Sequence, residues 1–85
     1  MTNEQIAQFL NLKTTLTTGK LIDIRFKKRQ AIRGIFVQTS DFDDLKSKNL
    51  WRIITEAHIE DWKKTKNMAL SRIYNGSDFT KLQVQ

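Results

Sequence analysis

A chain of 85 residues with 39% hydrophobic and 28% charged side chains can fill one compact core and not two. A single domain over residues 1–85, without a deep cleft between subdomains, is therefore expected. Cysteine is absent, which excludes disulfides, thiolate metal sites and a cysteine nucleophile, and favours a reducing, cytoplasmic setting. Fifteen Lys and Arg against nine Asp and Glu leave a formal net charge of +6. That balance favours anionic partners, although solubility alone would also use it.

The opening residues MTNEQIAQFL carry no basic and apolar signal-peptide pattern. Instead Thr2 and Gln5 have the spacing of a capping box, and Ile6, Phe9 and Leu10 follow at helical spacing. Thr14 to Gly19, rich in β-branched residues, should end that helix. From Lys20 the period becomes two: Ile22, Ile24 and Phe26 alternate with Asp23, Arg25 and Lys27, as in a half-buried strand. Lys27 to Gln30 suits a hairpin loop, and Ala31 to Gln38 the return strand. Gly34 inside it marks a bulge, a bend or a close backbone approach.

Ser40 to Asn49 is polar and reads as one helical turn or an ordered loop. Leu50 to Ile54 is a third strand. Thr55 can cap a short helix with acidic residues in front and Lys63, Lys64 and Lys66 behind, in accord with the helix dipole, and Asn67 is a plausible stop. Ala69 to Tyr74 makes a fourth strand, Asn75-Gly76 has the composition of a hairpin turn, and Asp78 to Val84 makes a fifth. The expected core is Ile6, Phe9, Leu10, Ile22, Ile24, Phe26, Ile35, Phe36, Val37, Trp51, Ile53, Leu70, Ile73 and Phe79. No stretch reaches the roughly 18 apolar residues of a spanning helix, so no membrane partner is expected.

The fold class that follows is α+β. A small bent five-stranded antiparallel sheet, or an SH3-like or Sm-like barrel, carries an N-terminal helix and a short helix before the fourth strand.

The segments LKSKNLWRII and SRIYNGSDFTKL, with Trp62 between them and MTNEQIAQFL in front, resemble a family of short bacterial proteins of unassigned function. Some members carry a short-chain dehydrogenase label. That activity is excluded here by length and by chemistry, because Gly19, Gly34 and Gly76 stand isolated and cannot form the turn that admits a pyrophosphate. Gly34, Phe36 and Asp41 also resemble, loosely, the first motif of the Sm-like RNA-binding barrels.

The chemistry-bearing sets are few. Lys20 to Arg33 holds six basic residues against Asp23, a net +5 over fourteen positions. Lys27, Lys28, Arg29 and Arg33, with Lys46 and Lys48 and with Lys63, Lys64 and Lys66, form candidate phosphate contacts. Trp62, followed directly by lysines, is the candidate stacking ring; the other aromatics are wanted for the core. Asp41, Asp43 and Asp44 lack the glycine and terminal glutamate of a calcium loop. His58 is the lone histidine, and Ser40, Ser47, Ser71 and Ser77 sit in no nucleophile motif. Neither catalytic residues, metal ligands nor a cofactor site are expected. A non-enzymatic module that binds RNA or DNA leads, with a protein–protein or homo-oligomeric assembly module as the alternative, since alternating charge blocks can join like subunits.

Overall fold

The computed structural model describes residues 1–13 and 21–84. Helix α1 (Asn3–Lys13) starts on the expected capping box. The Thr2 N–H donates to the Gln5 side-chain oxygen at 2.9 Å, and the Gln5 N–H to the Thr2 hydroxyl at 3.2 Å. The stop expected at Thr14 to Gly19, and Lys20 after it, lie outside the described residues.

Strands β1 (Ile22–Phe26) and β2 (Ile32–Phe36) form the expected hairpin, with Ile22 opposite Gly34 and Ile24 opposite Ile32. Helix α2 (Phe42–Ser47) follows, then β3 (Leu50–Thr55). A 3-10 turn (Glu56–His58) leads into helix α3 (Ile59–Thr65). A second 3-10 turn (Met68–Leu70) precedes β4 (Arg72–Asn75), and a third (Gly76–Asp78) precedes β5 (Phe79–Val84). The sheet is antiparallel in the order β4-β3-β2-β1-β5.

Two expectations need correction. Asn75-Gly76 does begin a turn, but the strands it joins are the two edges of the sheet and not a paired hairpin. The fourth strand starts at Arg72, because Asn67, expected as a helix stop, caps the Met68–Leu70 turn through its side-chain oxygen. Helix α3 itself closes at Lys66, which takes a left-handed conformation with φ 53° and donates its N–H to the Trp62 carbonyl at 2.7 Å.

The order of strands dictates a strong curl. In a flat sheet the edges would stand four strand spacings apart, about 19 Å. A three-residue 3-10 turn advances only about 6 Å. The sheet must therefore roll until its edges meet, and Phe26 on β1 touches Tyr74 on β4 with ring centroids 5.8 Å apart. The roll is not closed: β4 and β5 form no ladder with each other among the described residues.

The inner face buries Ile6, Leu10, Ile22, Ile24, Phe36, Trp51, Ile53, Phe79 and Leu82, with α1 and Phe42 of α2 against it. Its aromatic rings form a continuous edge-to-face or tilted series: Phe42, Trp51, Phe36, Phe79, Phe26, Tyr74. Between Arg25 and Phe26 the β1–β5 register shifts, so that Arg25 faces Lys81 while Phe26 faces Phe79. The extra residue, Thr80, returns Phe79 to the inner face, which simple alternation from Leu82 would deny it.

A second, smaller cluster lies on the outer face, where Ile35, Val37, Ile54 and Ile59 are buried under α3 and its flanking turns, with Leu21, Trp62, Met68 and Leu70 around them. Ile54, Ile59 and Leu82 thus join the core, whereas Ile73, expected inside, is 47% exposed. Ile73 faces Arg52 on the outer side of an edge strand, and Arg52 is turned to Asp41.

That ion pair anchors three segments. The Arg52 guanidinium donates from both Nε and Nη2 to Asp41, the closest contact being 2.8 Å, and Nη1 reaches the Ser71 hydroxyl at 3.4 Å. Thr39 donates its hydroxyl to the same carboxylate. The Arg52 bonds first, and the Thr39 bond second, hold the Asp41 carboxyl below its usual value, at about 2. A carboxyl with a depressed folded value stabilises the fold above its unfolded value and loses that contribution as pH falls through the folded one. The urea midpoint should fall between about pH 4 and pH 2, and Asp41→Asn should flatten that part of the profile. Equal acid slopes for parent and variant would refute the assignment.

Candidate nucleic-acid interface

Opposite the inner core, the β5-β1-β2 part of the sheet turns a second row of side chains outward. Alternation places Asp23 and Arg25 of β1, Arg33 of β2, and Lys81 and Gln83 of β5 there. Arg25 stands directly opposite Lys81 across the ladder, and Asp23 lies between Gln83 and Arg33 in the adjacent row. Arg33 Nε is 3.6 Å from half-buried Asp23, a long contact whose cation is exposed and whose energetic weight is small. Arg25 and Lys81 are exposed and have no carboxylate within ion-pair distance among the described residues. Two like charges facing each other across strands are destabilising. Neither was among the candidate residues.

At the same end of β1, Lys27, Lys28 and Arg29 occupy the exposed hairpin tip expected for them. The Lys27 N–H donates to the Asp78 carbonyl at 2.9 Å, fastening the tip to the turn before β5. Arg29 lies over two rings, its Cζ 5.2 Å from the Phe26 centroid and 5.6 Å from that of Tyr74. A cleft of about 120 Å³ opens beside them, lined by Phe26, Lys28, Arg29 and Asp78. Sequence periodicity gives Tyr74 and Asp78 no part in a site, since only the curl brings them to the hairpin.

The other candidates lie elsewhere. Lys46 and Lys48 belong to α2 and its C-terminus. The chain between α2 and β3 meets the turn before β5, the Gly76 N–H donating to the Asn49 carbonyl at 2.8 Å, and neither lysine lies on the β5-β1-β2 face. Lys48 is 3.8 Å from Asp44, and half-buried Lys46 lines a shallow depression against α1 with Asn3 and Glu4. Lys63, Lys64 and Lys66 are exposed on the layer that covers the outer cluster. Trp62 is half-buried against that cluster, with the Lys66 ammonium 4.1 Å from its ring centroid and its indole N–H buried without an acceptor among the described residues. His58 is exposed on the 3-10 turn after β3.

Among the described residues no cluster of three or more His, Asp or Glu could hold a metal ion, and no helix is long and apolar enough to cross a membrane. The chain matches no protein-family model, no curated protein and no solved structure.

Proposed function

We propose that this protein is a non-enzymatic binding module for the phosphate backbone of RNA or DNA, engaged by the outer face of β5-β1-β2 and the tip of the β1–β2 hairpin. The observation that carries the reading is the facing pair Arg25 and Lys81, an arrangement that costs stability unless an anion lies between or above the two cations. Arg33 extends that face by one row, and Lys27 and Lys28 extend it beyond the end of β1. The curled five-stranded sheet, its N-terminal helix and the three-residue link between its edge strands support a partly open barrel of the SH3-like or Sm-like kind.

The test is a fluorescence-anisotropy titration of dye-labelled RNA and DNA oligonucleotides at two salt concentrations. Each phosphate contact to a single strand adds about 0.7 to the slope of log affinity against log salt. Contacts from Arg25, Lys27, Lys28, Arg33 and Lys81 would together lower affinity roughly a hundredfold between about 50 and 200 mM salt. Absence of binding at the lower salt would refute the reading.

A second reading has one observation in its favour. Among the described residues β4 pairs with β3 alone, leaving one strand edge open, and it exposes Ile73, as an edge-to-edge contact between copies of the chain would require. It predicts concentration-dependent association by sedimentation, abolished by Ile73→Lys, without preference for polyanions.

A further inference from the structure

We propose that the cleft between the hairpin tip and the Gly76–Asp78 turn receives one unpaired nucleobase of a single-stranded nucleic acid, stacked on Phe26 and Tyr74 in the place that Arg29 now holds. The proposal deepens the backbone-binding reading and rests on it.

The geometry begins with the gap in the sheet. Among the described residues β4 and β5 form no ladder, and the inner aromatic series ends at Phe26 and Tyr74 beside the gap between them. Phe26 and Tyr74 are both half-buried there, tilted 42° to each other. The side chain of Arg29, itself exposed, lies over both rings. An exposed cation over a ring is held weakly, so Arg29 can swing aside at small cost. A planar guanidinium can then cover the far side of whatever lies on the rings.

The remaining walls select the occupant. Phe26 gives the cleft an apolar floor, Lys28 a cation and Asp78 a carboxylate. A flat, neutral ring system with N–H donors on its edge and a phosphate at its back matches all three: rings stack on the floor, Asp78 accepts from the edge, and Lys28 meets the phosphate. A lipid chain would leave the two charges unused. A base within a duplex has both faces covered by its neighbours and cannot enter without being extruded. The cleft is also continuous in the chain with the cationic face, since Phe26 directly follows Arg25 in β1, and the Lys27–Asp78 backbone bond ties its two walls together.

The experiment compares three oligonucleotides of equal length with the intact chain at low salt: a mixed single strand, the same strand with abasic sites throughout, and the duplex. Loss of base stacking should weaken binding of the abasic strand about tenfold. Tyr74→Leu should bring the intact strand down to the abasic level, and Arg29→Gln, at an exposed position with no risk to the core, should narrow the same ratio. Lys81→Glu should weaken intact and abasic strands alike, which separates the two proposals. Equal affinity for intact and abasic strands would overturn the base site while leaving the backbone surface standing. So would duplex binding as tight as single-strand binding, or a ratio untouched by both cleft variants. Failure of every oligonucleotide to bind would overturn both.

Discussion

Gly34→Ala should destabilise the fold by about 2–3 kcal/mol, the cost of overpacking a closely fitted interior. A Cβ at this position would lie 2.5 Å from the carbonyl oxygen of Ile54 and 3.0 Å from a methyl of the fully buried Ile53. The nearer atom is backbone, fixed in the β2–β3 ladder where Gly34 faces Thr55 and Ile35 faces Ile54. Relief would have to come from parting β2 from β3. Elsewhere a glycine-to-alanine change in a tolerant conformation stabilises by about 0.4–1 kcal/mol, because it restricts the unfolded chain. The two effects therefore have opposite signs, and a urea titration decides between them. A midpoint equal to or above that of the parent would show that the ladder yields there.

Lys81→Glu should raise stability and lower affinity for nucleic acid in the same molecule. Placing a carboxylate opposite Arg25 turns a repulsive cross-strand pair into an attractive one, worth roughly 0.2–1 kcal/mol. The same change removes one phosphate contact, so the salt slope on a single strand should fall by about 0.7. Lys48→Glu alters the net charge equally, but at the C-terminus of α2 and off the β5-β1-β2 strands, and should leave both binding and its slope close to the parent's. If the two variants weakened binding to the same extent, attraction would come from the overall charge and not from the β5-β1-β2 face. A gain in stability without a loss of affinity would mean that no anion uses the Arg25–Lys81 pair.

What the sequence makes legible is what is local. The capping box of Thr2 and Gln5 involves groups three residues apart, and the alternation Ile22, Ile24, Phe26 marks its own buried face; both appear in the structure as read. Gly34 stands out in the sequence as a bulge, a bend or a close approach, and the structure shows the last, against the Ile54 carbonyl. Asn75-Gly76 misleads because hairpin composition says nothing about which strands a turn joins. Gly76 is buried where Asn49, Ile6 and Trp51 leave no room for a side chain, so its requirement for glycine is set by packing from distant segments.

The same limit applies to the site. Lys27 to Arg29 stand out in the chain as a cluster, and they do form an exposed tip. Arg25 and Lys81 are 56 positions apart and become neighbours only through the pairing of β1 with β5. Ile54 escapes notice for a related reason: β3 is buried on both faces at Ile53 and Ile54, and such a strand shows no alternation to read.

The unequal cores on the two faces imply a hierarchy of opening. Among the described residues nine buried side chains hold the inner face and four the outer layer, which also carries the Trp62 indole N–H without an acceptor. Such a layer can detach as a cooperative unit at a free energy below that of global unfolding. Amide protons of α3 would then exchange with solvent ahead of those in the paired centres of β1 and β3. The sheet that presents Arg25 and Lys81 would persist through that excursion, because its registry depends on the inner face.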